Sequence, residues 1–134
     1  MLDVLRIAGL CHDIGKVAIP ESVLAKPGPL SDSERLVVDK YAEDGAYLSE
    51  KLGVAPTVAA MVRDSRIRYD DANGEVVDLA TSTLAVADAY VAMTSERPYG
   101  RIYSRREAMD ELRRESGRKF DPRAVDACVA CYAE

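Results

Sequence analysis

The chain has 134 residues, of which 48% are hydrophobic and 31% are charged, a balance typical of one globular domain. Its formal net charge of -5 argues against sequence-independent binding to nucleic acid polymers, which depends on clustered lysine and arginine. No apolar stretch approaches the roughly 20 residues of a membrane-spanning helix, and the N-terminus lacks the basic and apolar regions of a secretion signal. We therefore expect a single cytoplasmic domain over residues 1–134, without a membrane span.

The first predicted element is an apolar helix from Leu2 to His12, which ends in a loop at Gly15. His12 is the single histidine of the chain, Asp13 stands beside it, and Lys16 follows in the loop. A histidine with a carboxylate forms half of a divalent-metal site, and a nearby lysine can neutralise a bound phosphate. A hydrolytic site needs three or four protein ligands, so the remainder must come from elsewhere in the chain. The alternative is a hydrogen-bonded histidine in the core.

The middle of the chain predicts a long helix and a shorter one. Ser31 and Glu34 form a capping-box pattern at the start of the long helix, which ends at Gly53. The shorter helix runs from Pro56 to about Arg63. One face of the long helix is expected to be apolar and to carry Val37, Tyr41, Leu48 and Leu52.

The segment from Leu79 to Thr94 is apolar on nearly every side, so it is predicted to be the central helix of the core. Asp88 in its middle is conspicuous, because a buried carboxylate is costly unless it is paired, hydrogen-bonded or bound to metal. One interpretation makes Asp88 a third metal ligand beside His12 and Asp13. The other pairs Asp88 without metal, and its candidate partners are Lys16, Arg66 and His12.

Two helices are predicted in the C-terminal part. Ser104 with Glu107 forms a second capping box, and Asp121 with Pro122 forms an N-cap followed by proline at the first helical position. The side chains expected to face inward are Ala108, Met109, Leu112, Val125, Cys128, Val129 and Tyr132. Cys128 and Cys131 have the spacing of a zinc or redox pair, but a second pair is missing and small buried thiols explain them adequately.

Three runs of the chain follow one another in the order of a known family. They are Leu10 to Pro27, which contains Leu-Cys-His-Asp-Ile-Gly-Lys, then Leu84 to Tyr99, which ends in Arg-Pro-Tyr, and finally Phe120-Asp121-Pro122. Together they resemble the HD-GYP family, a branch of the HD phosphohydrolases that hydrolyses the second messenger cyclic di-GMP. The expected fold is therefore all-α, an HD-domain-like bundle of about six helices.

The chain departs from this family at several ligand positions. Tyr41 stands where family members carry a histidine, Val91 stands where they carry a second aspartate, and the Gly-Tyr-Pro signature is missing. At the positions of a histidine pair and a glutamate, the aligned residues are Ser65, Arg66 and Ile67. Arg66 brings a permanent positive charge and no acceptor atom into the region of the metal. We therefore expect a salt-bridged pocket in place of a metal site.

The missing ligands favour a non-catalytic or barely active HD-GYP-like regulatory or interaction module related to cyclic di-GMP signalling, with no cofactor. A phosphodiester needs a metal to generate hydroxide near neutral pH and to offset charge on the phosphoryl oxygens. The alternative is a metal-dependent phosphodiesterase that hydrolyses cyclic di-GMP or a related nucleotide. It would use one manganese, iron or zinc ion, the ligands His12, Asp13 and Asp88, and Lys16 as the phosphate contact.

The first helix also predicts a protein partner. The chain begins only about three helical turns before His12, so the helices that precede this point in family members are expected to be absent. Apolar residues occur on more than one side of the first helix, namely Leu2, Val4, Leu5, Ile7 and Leu10. We therefore expect a homo-oligomer or contact with an adjacent signalling domain.

Overall fold

The structure is a computed structural model that describes residues 2–71, 77–96 and 101–132. These residues form eight α-helices and one 3₁₀ helix, and their single β-type pairing is an isolated bridge between Ser116 and Phe120. The predicted all-α class is therefore confirmed, with more and shorter helices than the six expected. Within the same residues, no helix combines the length and the apolar character needed to cross a membrane. The chain divides into two compact units, Met1–Asp64 and Ser65–Glu134.

The first unit is built from short helices around a core in which alanine and valine side chains predominate. Its elements are α1 (Leu2–Cys11), the 3₁₀ helix (Ile14–Ala18), α2 (Glu21–Leu24), α3 (Asp32–Asp39), α4 (Tyr41–Lys51) and α5 (Pro56–Asp64). Helix α5 packs against both α1 and α4, and the 3₁₀ helix packs against α4. The buried apolar side chains include Ala8, Tyr41, Ala42, Ala46, Val58 and Val62.

The predicted long helix is broken into α3 and α4 at Lys40. Its capping box is confirmed, because the Ser31 hydroxyl accepts a hydrogen bond from the Glu34 N–H while the Glu34 carboxylate accepts one from the Ser31 N–H. The predicted apolar face is only partly correct: Tyr41 is buried, but Val37 is exposed and the Leu52 side chain is 68% exposed. Small residues form the buried face of α4 instead, namely Ala42, Gly45, Ala46 and Ser49.

The buried face of α4 consists of small residues because the backbone of the 3₁₀ helix passes close to the backbone of α4. A Cβ atom added to Gly15 would lie 1.8 Å from the carbonyl oxygen of Tyr41 and 2.7 Å from the backbone nitrogen of Gly45. A Cβ atom added to Gly45 would lie 3.2 Å from the nitrogen of Gly15. Since the opposing atoms belong to the backbone, a larger residue at Gly15 would force the two helices apart. The loop predicted at Gly15 is thus a 3₁₀ helix that is held against α4.

The described residues of the second unit form three helices around an apolar core. Its helices are α6 (Leu79–Thr94), α7 (Arg105–Arg114) and α8 (Pro122–Tyr132). The core side chains are Val86, Met109, Leu112, Phe120, Ala124 and Val125, with Tyr90, Met93, Cys128 and Val129 packed against them. The bounds predicted for α6 and the capping box at Ser104 are confirmed.

Two expectations about the second unit need correction. Helix α6 is not buried on every side, because the Val91 side chain is 57% exposed. Tyr132, expected to face inward, is partly exposed and stacks on Tyr90 with 4.8 Å between the ring centroids. The Arg97-Pro98-Tyr99 run lies outside the described residues. An apolar sequence pattern identifies a helix that packs, but it does not tell which faces meet a neighbour.

A buried carboxylate connects the start of α8 to α6. The Asp121 side chain accepts hydrogen bonds from the Arg123 backbone N–H at 2.8 Å and from the Arg123 guanidinium at 2.6 Å. The hydroxyl of Ser82 on α6 also lowers the pKa of this carboxyl. The Arg123 guanidinium holds the pKa of Asp121 below its usual range, and this effect outweighs the opposing effect of burial. Because Asp121 is only 2% exposed, these partners replace the water that its charge would otherwise need.

The first prediction concerns the glycine crossing. The substitution Gly15→Ala should lower the free energy of unfolding by about 3 kcal/mol, because its Cβ collides with backbone atoms. Gly53→Ala is the control, since no atom lies near its Cβ position and only the positive φ of 77° opposes alanine. Gly53→Ala should lower the free energy of unfolding by only about 1 kcal/mol. Urea unfolding followed by circular dichroism measures both; equal losses would contradict the crossing.

The second prediction concerns Asp121 and pH. A folded-state pKa below the unfolded value of about 3.9 stabilises the protein above that pH, and the stabilisation is lost as the pH falls toward the folded-state pKa. Asp121→Asn removes the charge. It should therefore lower the free energy of unfolding by about 2 kcal/mol at pH 7 and by progressively less below pH 4. Unfolding at a series of pH values tests this, with the exposed Asp126→Asn on α8 as control. A loss that does not depend on pH would contradict the role of the carboxylate.

Candidate metal and phosphate site

His12 lies between α1 and the 3₁₀ helix, with its ring held by the end of α1. Its Nδ1 atom is 2.6 Å from the carbonyl oxygen of Gly9. A carbonyl only accepts hydrogen bonds, so Nδ1 carries the proton in this bond. Nε2 lies 3.5 Å from Oδ2 of Asp13, and both side chains are partly exposed. The structure therefore brings His12 and Asp13 together, as the sequence predicts.

Lys16 binds the same oxygen of Asp13. Its Nζ atom lies 2.6 Å from Asp13 Oδ2 and 5.9 Å from the centre of the Tyr41 ring. Asp13 directly precedes the 3₁₀ helix, and its carboxylate makes no capping bond to that helix. The Lys16 N–H donates to the Asp13 carbonyl at 3.0 Å, and this turn brings the two side chains together. This ion pair is not among the sequence predictions, although the spacing of three residues in a helical turn could have indicated it.

His12 and Asp13 fit two ligands of a divalent metal ion. Ligands that each lie about 2.1 Å from one ion are separated by about 3 to 3.5 Å, and the separation of Nε2 and Oδ2 here is 3.5 Å. The Gly9 carbonyl holds the tautomer that leaves Nε2 as the ligand atom. In neither unit do the described residues contain three His, Cys, Asp or Glu side chains grouped so that they could hold a metal. The separation of these two atoms is therefore compatible with half of a metal site.

Asp88 lies in the second unit, on α6, beside an arginine. Arg66 Nη1 is 3.6 Å from Asp88 Oδ2, so the predicted salt bridge between these residues is confirmed. The distance is too long for a hydrogen bond, and the Arg66 side chain is substantially exposed. Such a pair compensates charge but contributes little to stability. Each of the two aspartates predicted as metal ligands therefore has a basic side chain beside it within its own unit.

The cysteine pair on α8 divides between the core and the surface. Cys128 is partly buried and packs against the core of the second unit, whereas Cys131 is exposed. Burial raises the pKa of the Cys128 thiol, and the neighbouring Cys131 raises it further. A raised pKa disfavours the thiolate that metal binding and redox exchange require. The interpretation as small buried thiols is therefore only partly correct for Cys128, which is partly buried, and is wrong for Cys131.

Comparison with known proteins identifies the family of this chain. A model of the HD domain matches residues 2–124. A cyclic di-GMP phosphodiesterase response regulator of Xanthomonas campestris is 36% identical over 98% of this chain and 37% of its own length. A 3'3'-cGAMP-specific phosphodiesterase of Vibrio cholerae is 32% identical over 96% of this chain and 32% of its own length. A cyclic di-GMP phosphodiesterase of Pseudomonas aeruginosa is 35% identical over 92% of this chain and 31% of its own length.

These relatives agree with the resemblance found in the sequence. The chain spans about a third of the length of each relative named above. The family match nevertheless includes His12, Asp13, Lys16 and Asp88. The chain belongs to the HD domain family and, with these relatives, to its HD-GYP branch.

Proposed function

We propose that this domain acts on cyclic dinucleotides, and that hydrolysis of their phosphodiester bond is the first candidate function. The names of the relatives support this alternative more than the non-catalytic module that the sequence favoured, which is not confirmed. The observation that carries the proposal is the cluster of His12, Asp13 and Lys16 on one turn of the first unit. These are the side chains that a metal-dependent phosphodiesterase needs for one metal ligand pair and one phosphate contact.

Each residue of the cluster has a separate role in this proposal. His12 Nε2 and Asp13 Oδ2 would hold one divalent ion of manganese, iron or zinc, and Asp88 stays a predicted third ligand. When bound, the ion supplies hydroxide near neutral pH and offsets charge on the phosphoryl oxygens. Lys16 contacts a phosphate oxygen as a point charge on a flexible side chain. The Gly9 carbonyl keeps the His12 ring in the orientation that this role requires.

A second candidate is a non-catalytic module that binds a cyclic dinucleotide or a partner protein without turnover. Two ion pairs favour it, because Lys16 lies 2.6 Å from Asp13 and Arg66 lies 3.6 Å from Asp88. Each carboxylate that would attract a dication already has a positive charge beside it. In this case the HD-GYP scaffold transmits binding to the rest of the protein and needs no cofactor.

The third prediction separates the two candidates. The purified chain with manganese or ferrous ion should convert cyclic di-GMP or 3'3'-cGAMP to a linear dinucleotide, as followed by chromatography. Asp13→Asn removes the charged ligand and should reduce turnover at least about 100-fold, the scale seen for loss of one group that stabilises the transition state. Asp39→Asn, an exposed carboxylate at the end of α3, is the control.

Calorimetric titration of the same proteins completes this test. Binding of cyclic di-GMP without turnover would reject hydrolysis and support the second candidate. The absence of both binding and turnover would contradict the proposed action on cyclic dinucleotides.

We also propose that α1 carries an interaction surface for a second copy of the chain or for an adjacent signalling domain. Leu2 is 81% exposed and Leu10 is 78% exposed, and Ile7 is exposed as well. Val4 and Leu5 are partly buried, so the surface is formed by a subset of the residues that the sequence indicated. Exposed leucines on one helix are a feature of surfaces that meet another protein.

The fourth prediction tests self-association through α1. Light scattering at micromolar concentration should give a mass above that of one chain, and Leu2→Glu should return it to the monomer, because a charge opposes burial of this surface. Leu52→Glu, at a leucine after α4 that is 68% exposed, should leave the mass unchanged. A monomeric wild-type chain would contradict self-association, and only contact with an adjacent domain would then be left.

A further inference from the structure

Lys16 binds the same carboxylate oxygen of Asp13 that the pair of His12 and Asp13 would offer to a metal ion. Its ammonium group lies 2.6 Å from Asp13 Oδ2, and this is the oxygen that lies 3.5 Å from His12 Nε2. A cation held between Nε2 and Oδ2 would therefore stand close to the Lys16 ammonium. Two positive charges at such a distance repel each other, and the repulsion is strongest where water is partly excluded.

The ion pair is built so that the lysine side chain can leave without disturbing the fold. The backbone of the 3₁₀ helix is held by the crossing of Gly15 over α4, and the Lys16 side chain extends from it as a flexible stem. Both side chains of the pair are partly exposed, so water competes with their attraction and the pair is weak. A stronger anion can therefore draw the ammonium group away from Asp13 while the backbone keeps its position.

We propose that Lys16 couples the binding of a phosphodiester to the binding of a divalent ion. In the free protein Lys16 compensates Asp13 and weakens metal binding. A phosphodiester draws Lys16 to its own oxygens and so removes the lysine charge from beside Asp13 Oδ2. By thermodynamic linkage, each ligand then strengthens the binding of the other by the same factor. This coupling rests on the proposed function, because it takes His12 and Asp13 as the metal ligands and Lys16 as the phosphate contact.

A metal-binding measurement tests the first half of this inference. Free manganese is followed by electron paramagnetic resonance during titration of the wild-type chain and of Lys16→Gln. The variant should bind manganese about fivefold more tightly or better, the lower end of typical coupling between sites. Asp13→Asn in the Lys16→Gln background should remove the gain. Equal affinities in wild type and Lys16→Gln would overturn the inference.

The matched control is Lys26→Gln, which makes the same change of charge in the same unit. Lys26 forms an equally short ion pair, with its Nζ atom 2.5 Å from Glu34 Oε2. This variant should bind manganese as the wild type does. An equal gain in Lys26→Gln would mean that net charge, and not the position of Lys16, sets the affinity, and it would overturn the inference. Lys16→Met serves as a second variant, and thermal melting shows that each protein is folded.

The second half of the inference is tested with cyclic di-GMP present. Manganese affinity of the wild type should rise by about fivefold or more, whereas that of Lys16→Gln should stay constant, because no lysine is left to move. Chromatography shows whether the cyclic dinucleotide is intact at the end of each titration. A rise of the same size in Lys16→Gln would overturn the coupling.

The failure of the inference differs from the failure of the proposed function. Turnover by the wild type together with equal manganese affinities of wild type and Lys16→Gln rejects the coupling and keeps hydrolysis. Coupled binding without turnover rejects hydrolysis and keeps the coupling.

Discussion

The first unit depends on the backbone contact between Gly15 and Gly45. Because neither residue has a side chain, the 3₁₀ helix reaches the backbone of α4, and the carbonyl of Tyr41 lies where a Cβ of Gly15 would be. This contact determines the direction in which the chain leaves α1. It thereby places His12, Asp13 and Lys16 on one short turn beside the buried Tyr41. A larger residue at the crossing would separate the turn from α4 and change the relation between these side chains.

Both aspartates predicted as metal ligands have a basic side chain beside them. Lys16 lies on Asp13 and Arg66 lies beside Asp88, so both candidate ligand carboxylates are stabilised in the absence of a dication. The two pairs differ in strength, since the first is a hydrogen-bonded contact and the second is a longer, exposed one. The ammonium group of a lysine ends a flexible side chain and is easily displaced. The guanidinium group of an arginine is planar and keeps its charge under all ordinary conditions.

The second unit places Asp88 by a different means. Helix α6 packs on α7 and α8, and the buried Asp121 at the start of α8 accepts hydrogen bonds from Arg123. The segment that carries Arg66 is held nearby, because the N–H groups of Tyr69 and Asp70 donate to the carbonyls of Lys119 and Arg118. Apolar packing in the second unit thus determines the position of α6, the helix that carries Asp88.

The sequence determined those features that depend on neighbouring residues. Both capping boxes, the bounds of α6 and the pairing of His12 with Asp13 follow from side chains a few residues apart, and the family follows from short signatures in a set order. Tertiary structure decided the break at Lys40, the exposed faces of α4 and α6, and the 3₁₀ helix at Gly15. These features depend on which backbone passes close to which helix, and a helical pattern contains no information on such distant neighbours. The ion pair between Lys16 and Asp13 depends on both. The three-residue spacing of its partners is local, but its position beside Tyr41 comes from the backbone contact between Gly15 and Gly45.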